Sequence, residues 1–155
     1  MERAIPHQEA AAEVRISRNY GVEPEKVWRA WTDPQALSQW FGAGTPAATT
    51  AEVDLRVGGR YRIAFRGASG DMNEVAGTYQ EVVPNSRLVF TWAFKSTPER
   101  VSRVSIELQQ RAGGTELRFV HDRFYDEAAR VGHERGWQLG FAHLDAMLEC
   151  VAQHA

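Results

Sequence analysis

The sequence predicts an α+β fold in which a curved antiparallel sheet of six or seven strands wraps around one long C-terminal helix. Three features predict it. From Thr49 to Asp122 apolar residues alternate with polar or charged ones, the period of a sheet with one buried face. From about residue 126 to 153 the apolar residues recur in steps of three and four, the period of an amphipathic helix. Between residues 24 and 41 a helical pattern is interrupted by Asp33-Pro34, which breaks a continuous helix.

Residues 1–12 show no apolar periodicity and read as an N-terminal tail, which leaves residues 13–155 as a single domain. In EVRISRNY, Val14 and Ile16 alternate with polar neighbours and predict the first strand. Pro24 suits the first turn of a helix, where its missing N–H would be unpaired anyway, and Val27, Ala30 and Trp31 follow at helical spacing. Pro34 would clash with the carbonyl of Ala30 and drives Asp33 out of the helical region. The stretch therefore becomes two helices, near 24–32 and 34–41. Asp33 is suited to cap the second, Leu37, Trp40 and Phe41 share one face of it, and GAGTP at 42–46 ends it.

In the sheet region, Val53, Leu55 and Val57 alternate with Glu52, Asp54 and Arg56. Gly58-Gly59 then marks a turn or bulge before Tyr61, Ile63 and Phe65. Further strands are expected around 74–83, 87–94, 101–110 and 115–121, separated by GASGDMN, PNS, KSTPE and RAGG, all turn chemistry. In the last helix Trp137, Phe141, Leu144, Leu148 and Val151 form one face. At about 1.5 Å per residue this helix is roughly 40 Å long, enough to cover the apolar face of the sheet.

The chain has 155 residues, 43% of them hydrophobic, which suffices for one sizeable core. A formal net charge of -2 without a basic run argues against nucleic acid as partner. Cys150 is the only cysteine, which excludes an internal disulfide and a cysteine-rich metal site. MERAIPHQEAAAEV has no apolar signal-peptide core, and nothing approaches the roughly 20 apolar residues of a membrane span. A soluble cytoplasmic protein is expected, without membrane contact, as monomer or homodimer.

Strand, two short helices, six meandering strands and a long C-terminal helix make up the helix-grip arrangement. The segments VWRAWTDPQALSQWFG, VDLRVGGRYRI, GTYQEVVPNSRLVFTW, GGTELRFVHDRF and HERGWQLGFAHLDAML, in that order, resemble the family related to the C-terminal domain of the activator of the heat-shock protein 90 ATPase. That family lies within the START-like (SRPBCC) superfamily, and the resemblance runs from about residue 13 to 151. It implies a cavity between the long helix and the concave sheet, with the two short helices closing one end. The superfamily includes lipid carriers, hormone receptors, polyketide aromatases and cyclases, and co-chaperone domains, so the fold alone does not fix function.

The residues expected to line that cavity are Trp31, Trp40 and Phe41 from the short helices. By alternation Tyr61, Ile63, Phe65, Phe90, Trp92, Phe119 and His121 join them from the sheet, and His133, Gly136, Trp137, Gly140 and Phe141 from the long helix. Gly132, Gly136 and Gly140, spaced by four, each lose about 1 kcal/mol of helix stability against alanine, and steric room beside Trp137 is the reason expected for them. His121, His133 and Tyr61 are the candidate proton donors or acceptors. No metal is expected, because His133 and His143 point in different directions on one helix and neither HExxH nor a carboxylate cluster accompanies them. No cofactor is implied: GAGTPA at 42–47 follows a helix and contains Pro46, unlike a dinucleotide fingerprint.

Three functions remain open. The first is binding of a small hydrophobic or aromatic molecule in the apolar cavity. The second is a cyclase- or hydrolase-type reaction in the same cavity. The third is a co-chaperone-like interaction module; against it, the resemblance implies that the related activator uses a second, N-terminal domain to hold its partner, whereas only about twelve residues are expected before the first strand here.

Overall fold

The structure is a computed structural model that describes residues 13–42, 44, 48–67 and 69–153; the expected tail at 1–12 lies outside them. Seven strands form one antiparallel sheet: β1 (Val14–Tyr20), β2 (Thr50–Val53), β3 (Arg60–Arg66), β4 (Met72–Val83), β5 (Arg87–Phe94), β6 (Ser102–Arg111) and β7 (Gly114–Asp122). Helices α1 (Pro24–Thr32) and α2 (Pro34–Trp40) follow β1, and α3 (Glu127–Gln153) ends the described chain. The strand order is β1-β7-β6-β5-β4-β3-β2. The six strands after α2 thus meander by hairpins, and β1 pairs with β7, where Val14 lies opposite His121 and Tyr20 opposite Thr115.

Alternation decides which side chains enter the core. Tyr61, Ile63 and Phe65 on β3 are buried while Arg60, Arg62 and Arg66 are exposed, and Val104, Ile106 and Leu108 on β6 turn inward likewise. The long helix covers this face: Trp137 and Phe141 pack on Phe119 with ring centroids 4.6 and 5.2 Å away. Arg18 and the Tyr20 hydroxyl on β1 both bond Asp145 of α3, tying the helix to the sheet edge. Burial and the Asp145 carboxylate together push the Tyr20 phenol well above its ordinary range.

The Asp33-Pro34 break has a full hydrogen-bond account. Asp33 sits in extended backbone between the two helices, and its carboxylate accepts the Gln35 N–H at 2.9 Å, which holds its pKa below the ordinary value. Pro34 cannot supply the N–H that the Ala30 carbonyl would receive in a continuous helix. The indole Nε1–H of Trp40, a fully buried side chain, donates to that carbonyl instead, at 2.8 Å. The same proline that bends the chain creates the acceptor that fixes Trp40.

One strand expectation is corrected. Alternation carried the second strand through Leu55 and Val57, but β2 ends at Val53 and both residues are exposed, Val57 at 63%. The chain turns at 54–59, with Asp54 bonded to Arg60 and Gly59 to Arg56. Gly58 has φ +85° there, which favours glycine. The apolar period continues in sequence where the ladder has already stopped.

Candidate functional site

Between the first half of α3 and the concave face of the sheet lies a cavity of about 400 Å³. Aromatic side chains from three elements, and from the residue that follows α2, wall it. Phe41 follows α2, Phe65 comes from β3, Trp92 and Phe94 from β5, and Trp137 from α3. Phe41 stands edge-on to Phe65 at 5.2 Å and to Trp137 at 5.7 Å, and Trp92 is tilted against Trp137 at 5.1 Å. Phe124 and Tyr125, after β7, join the lining on the far side.

Gly132, Gly136 and Gly140 form the helix wall of this cavity. A methyl group added at Gly132 or Gly136 would meet no atom within 4 Å, and one at Gly140 would make only ordinary contact with Gly42 at 3.8 Å. Close packing therefore does not demand glycine at these positions. What Gly132 and Gly136 leave is open space. Gly42 is different: its φ is +107° and an added methyl would sit 3.1 Å from Phe65 and the Arg66 carbonyl, so both conformation and crowding require glycine. Its carbonyl bonds His143 Nδ1 at 3.0 Å, which pins the loop after α2 to α3.

The two candidate histidines are held by indoles. Trp137 Nε1–H donates to His121 Nδ1 at 2.9 Å. An indole can only donate, so His121 carries its proton on Nε2 and gives it to Ser102 Oγ at 2.7 Å. The Ser102 hydroxyl is left to donate to the Trp92 carbonyl, at 3.3 Å. Trp92 Nε1–H donates to His133 Nε2 at 3.1 Å, so His133 is protonated on Nδ1, which donates to the Ala129 carbonyl at 2.7 Å. Burial depresses the pKa of both imidazoles; the neighbouring His133 adds to the effect at His121, and the Ala129 bond partly opposes it at His133.

This polarity has a chemical consequence. Ser102 and His121 have the spacing of a serine–histidine pair, but the imidazole donates to the hydroxyl and cannot take its proton in this tautomer. A nucleophilic pair needs the opposite sense, with a carboxylate or carbonyl accepting from Nδ1. Neither ring nitrogen of His133 is spare. Tyr61 is committed as well: Gly77 lies opposite it on β4, and its hydroxyl donates to the Thr91 carbonyl at 2.6 Å. An added methyl at Gly77 would stand 1.9 Å from that carbonyl oxygen. Burial raises the Tyr61 pKa far above its ordinary value.

The profile of the family described as Activator of Hsp90 ATPase homolog 1-like protein matches residues 21–149. The chain belongs to this family. It is 29% identical over 126 residues to the human activator of 90 kDa heat shock protein ATPase homolog 1, covering 81% of this chain and 33% of that protein. The chain thus spans about a third of the length of this curated relative. Protein CV1439 from Chromobacterium violaceum superposes with a TM-score of 0.77 at 30% identity, covering 90% of this chain and 98% of the other. DynU16, from the dynemicin biosynthetic locus, shares the fold at a TM-score of 0.71 and 24% identity, with 89% and 47% covered. The helix-grip architecture of the SRPBCC superfamily is that of this chain.

In this Activator of Hsp90 ATPase homolog 1-like chain the expected lining residues fall into two groups. Phe41, Phe65, Trp92, His133, Gly136, Trp137 and Gly140 reach the cavity. Trp31, Trp40, Tyr61, Ile63, Phe90, Phe119 and Phe141 are buried behind its wall, in the packed core, and the polar His121 is fully buried beside them. Trp31 stands edge-on to Trp40 at 4.8 Å and also meets Phe119, Trp137 and Phe141. Its Nε1–H is the one buried side-chain polar group without a hydrogen-bond partner among the described residues.

Sequence reasoning did not single out Ser102, Arg100, Arg135, Phe124 or Tyr125, all of which line the cavity. For Ser102 the signal was present, since alternation with Val104 and Ile106 places it inward. For the others it lay in loops or on the helix flank, where no period applies. No group of three or more histidine, cysteine, aspartate or glutamate residues able to hold a metal occurs among the described residues. No helix there is long and apolar enough to cross a membrane.

Proposed function

We propose that this protein binds a small, largely apolar molecule in the cavity between α3 and the sheet. The observation that carries the reading is the glycine wall. Three residues that weaken their own helix, at about 1 kcal/mol each, leave space rather than relieve a clash at Gly132 and Gly136. A cavity of about 400 Å³ suits one small organic ligand, and its rings offer flat apolar surface for an aromatic partner. The hydrogen-bonding sense at Ser102, His121 and His133 supports binding over proton-transfer catalysis. The protein is read as cytoplasmic, without a membrane or nucleic-acid partner.

Titration with aromatic probes, followed through the fluorescence of Trp92 and Trp137, tests the reading. Binding in the wild type that is lost when Gly136→Leu fills the cavity supports it. Probes that bind equally well to the folded Gly136→Leu variant contradict it. The name of the human relative favours one alternative, a protein-interaction module; retention of activity towards a protein partner by the filled variant would support that instead.

A further inference from the structure

The charged side chains that line the cavity among the described residues have one sign. Among the described residues no aspartate or glutamate contributes to the wall, whereas Arg100, from the loop between β5 and β6, and Arg135, from α3, both do. Arg135 has no carboxylate partner among the described residues, unlike Arg130 five residues earlier, which is paired with Glu127 and Glu134. Arg100 lies over the Tyr125 ring at 3.9 Å, and its nearest carboxylate, Glu99, is exposed and 3.9 Å away. Deeper in, the relay from Trp137 through His121 makes Ser102 an acceptor on one side and leaves its hydroxyl proton for an acceptor on the other. The present acceptor, the Trp92 carbonyl, is at 3.3 Å, a long O–H···O separation. The histidines add no basic acceptor, because both nitrogens of His133 are already engaged.

We propose that the occupant of this cavity is an aromatic carboxylate, its ring between Phe41, Trp92 and Trp137 and its carboxylate held by Arg135 and Arg100. The proposal rests on the binding function argued above and adds the chemistry of the head group. A planar guanidinium matches a carboxylate in two parallel N–H···O bonds. Two guanidiniums with no carboxylate among the described residues of the cavity wall, and only the exposed Glu99 near one of them, leave a net positive field there. A cationic ligand would be repelled by both, and a neutral one would leave that field unused.

The test is a matched series measured by calorimetry: 2-naphthylacetate, its methyl ester, and 2-naphthylethylamine. The wild type should bind the acid about tenfold or more tighter than the ester, and the amine weakest. Raising the salt concentration should narrow the gap between acid and ester. Arg100→Gln with Arg135→Gln should abolish the preference for the acid over the ester, read as the ratio of the two affinities in the same folded variant. Arg135→Glu should turn the preference towards the amine. Equal affinity for acid and ester in the wild type, or a preference that survives loss of both arginines, overturns the head-group assignment while the binding function stands. No binding of any member at millimolar concentration, in a protein that is folded, overturns both.

Discussion

The two halves of α3 lie on the same sheet and solve opposite problems. One slanting row of the helix, in steps of four, reads Gly132, Gly136, Gly140, Leu144, Leu148. Such rows are the ridges with which helices pack. In the second half the ridge is made of leucine, with Leu144 fully buried and Leu148 almost so. In the first half it is made of glycine, all three lining a cavity of about 400 Å³, and a methyl added at Gly132 or Gly136 would meet only open space. The sheet meets the first half with Trp92 and Phe119, which pack on Trp137, and the second with Tyr20, whose hydroxyl bonds Asp145. What differs is what the helix withholds, so the position of the cavity is set by the helix rather than by the strands.

The comparison breaks first at the residue on its border. Trp137 packs against Phe119 and Trp92, lines the cavity, and holds His121 in its tautomer. Trp137→Ala should lower unfolding free energy in urea by about 3–5 kcal/mol; a loss below about 1 kcal/mol would place it outside the packed half. Leu144→Ala should follow at about 2–5 kcal/mol, because it opens a hole where the helix is meant to fill one. If its effect is under about 1 kcal/mol, the two halves are not different in kind.

Acid should reach the open half as well. His121 and His133 have folded-state pKa values depressed below that of an unfolded histidine, near 6.5. The unfolded chain therefore takes up protons first as pH falls. Stability should be level above about pH 7, decline as pH drops below about 6.5, and continue to fall through the folded-state values. Urea midpoints equal at pH 7.5 and 5.5 would show that these imidazoles are not buried neutral.

A smaller effect is expected at the bend that places Phe41. Asp33→Ala removes the bond to Gln35 and should lose about 1 kcal/mol. Trp40 should keep its place in a structure of this variant, because Pro34 still leaves the Ala30 carbonyl free to accept from the indole. Loss of the Trp40–Ala30 bond would show that the cap, rather than the proline, sets the geometry.

These contrasts also separate what was legible in the sequence from what was not. The strands, the bend at Pro34 and the long helix follow from local rules: Val14 and Ile16 alternate, Asp33 caps, and Trp137 to Leu148 keep one face. Leu55 and Val57 mislead because alternation records a pattern of side chains, whereas a strand ends where its ladder does. Inward direction could be read for Phe65 and Trp92, and equally for Ile63 and Phe90, which lie behind the wall. Whether an inward residue meets a cavity or a neighbour depends on the helix row above it, and that depends on packing across the fold. The tautomers of His121 and His133 depend on Trp137 and Trp92, each bond joining groups remote in sequence, and no periodicity reports them.

The central claim is that glycine on the first half of α3 keeps space for a ligand and does nothing for the fold. Gly132→Ala with Gly136→Ala tests it in one protein, measured for melting temperature and for affinity towards an aromatic carboxylate. Each alanine should raise helix stability by up to about 1 kcal/mol, so the double variant should melt at or above the wild type while its affinity falls. A double variant that melts lower, or one that binds the probe as tightly as before, would contradict the account.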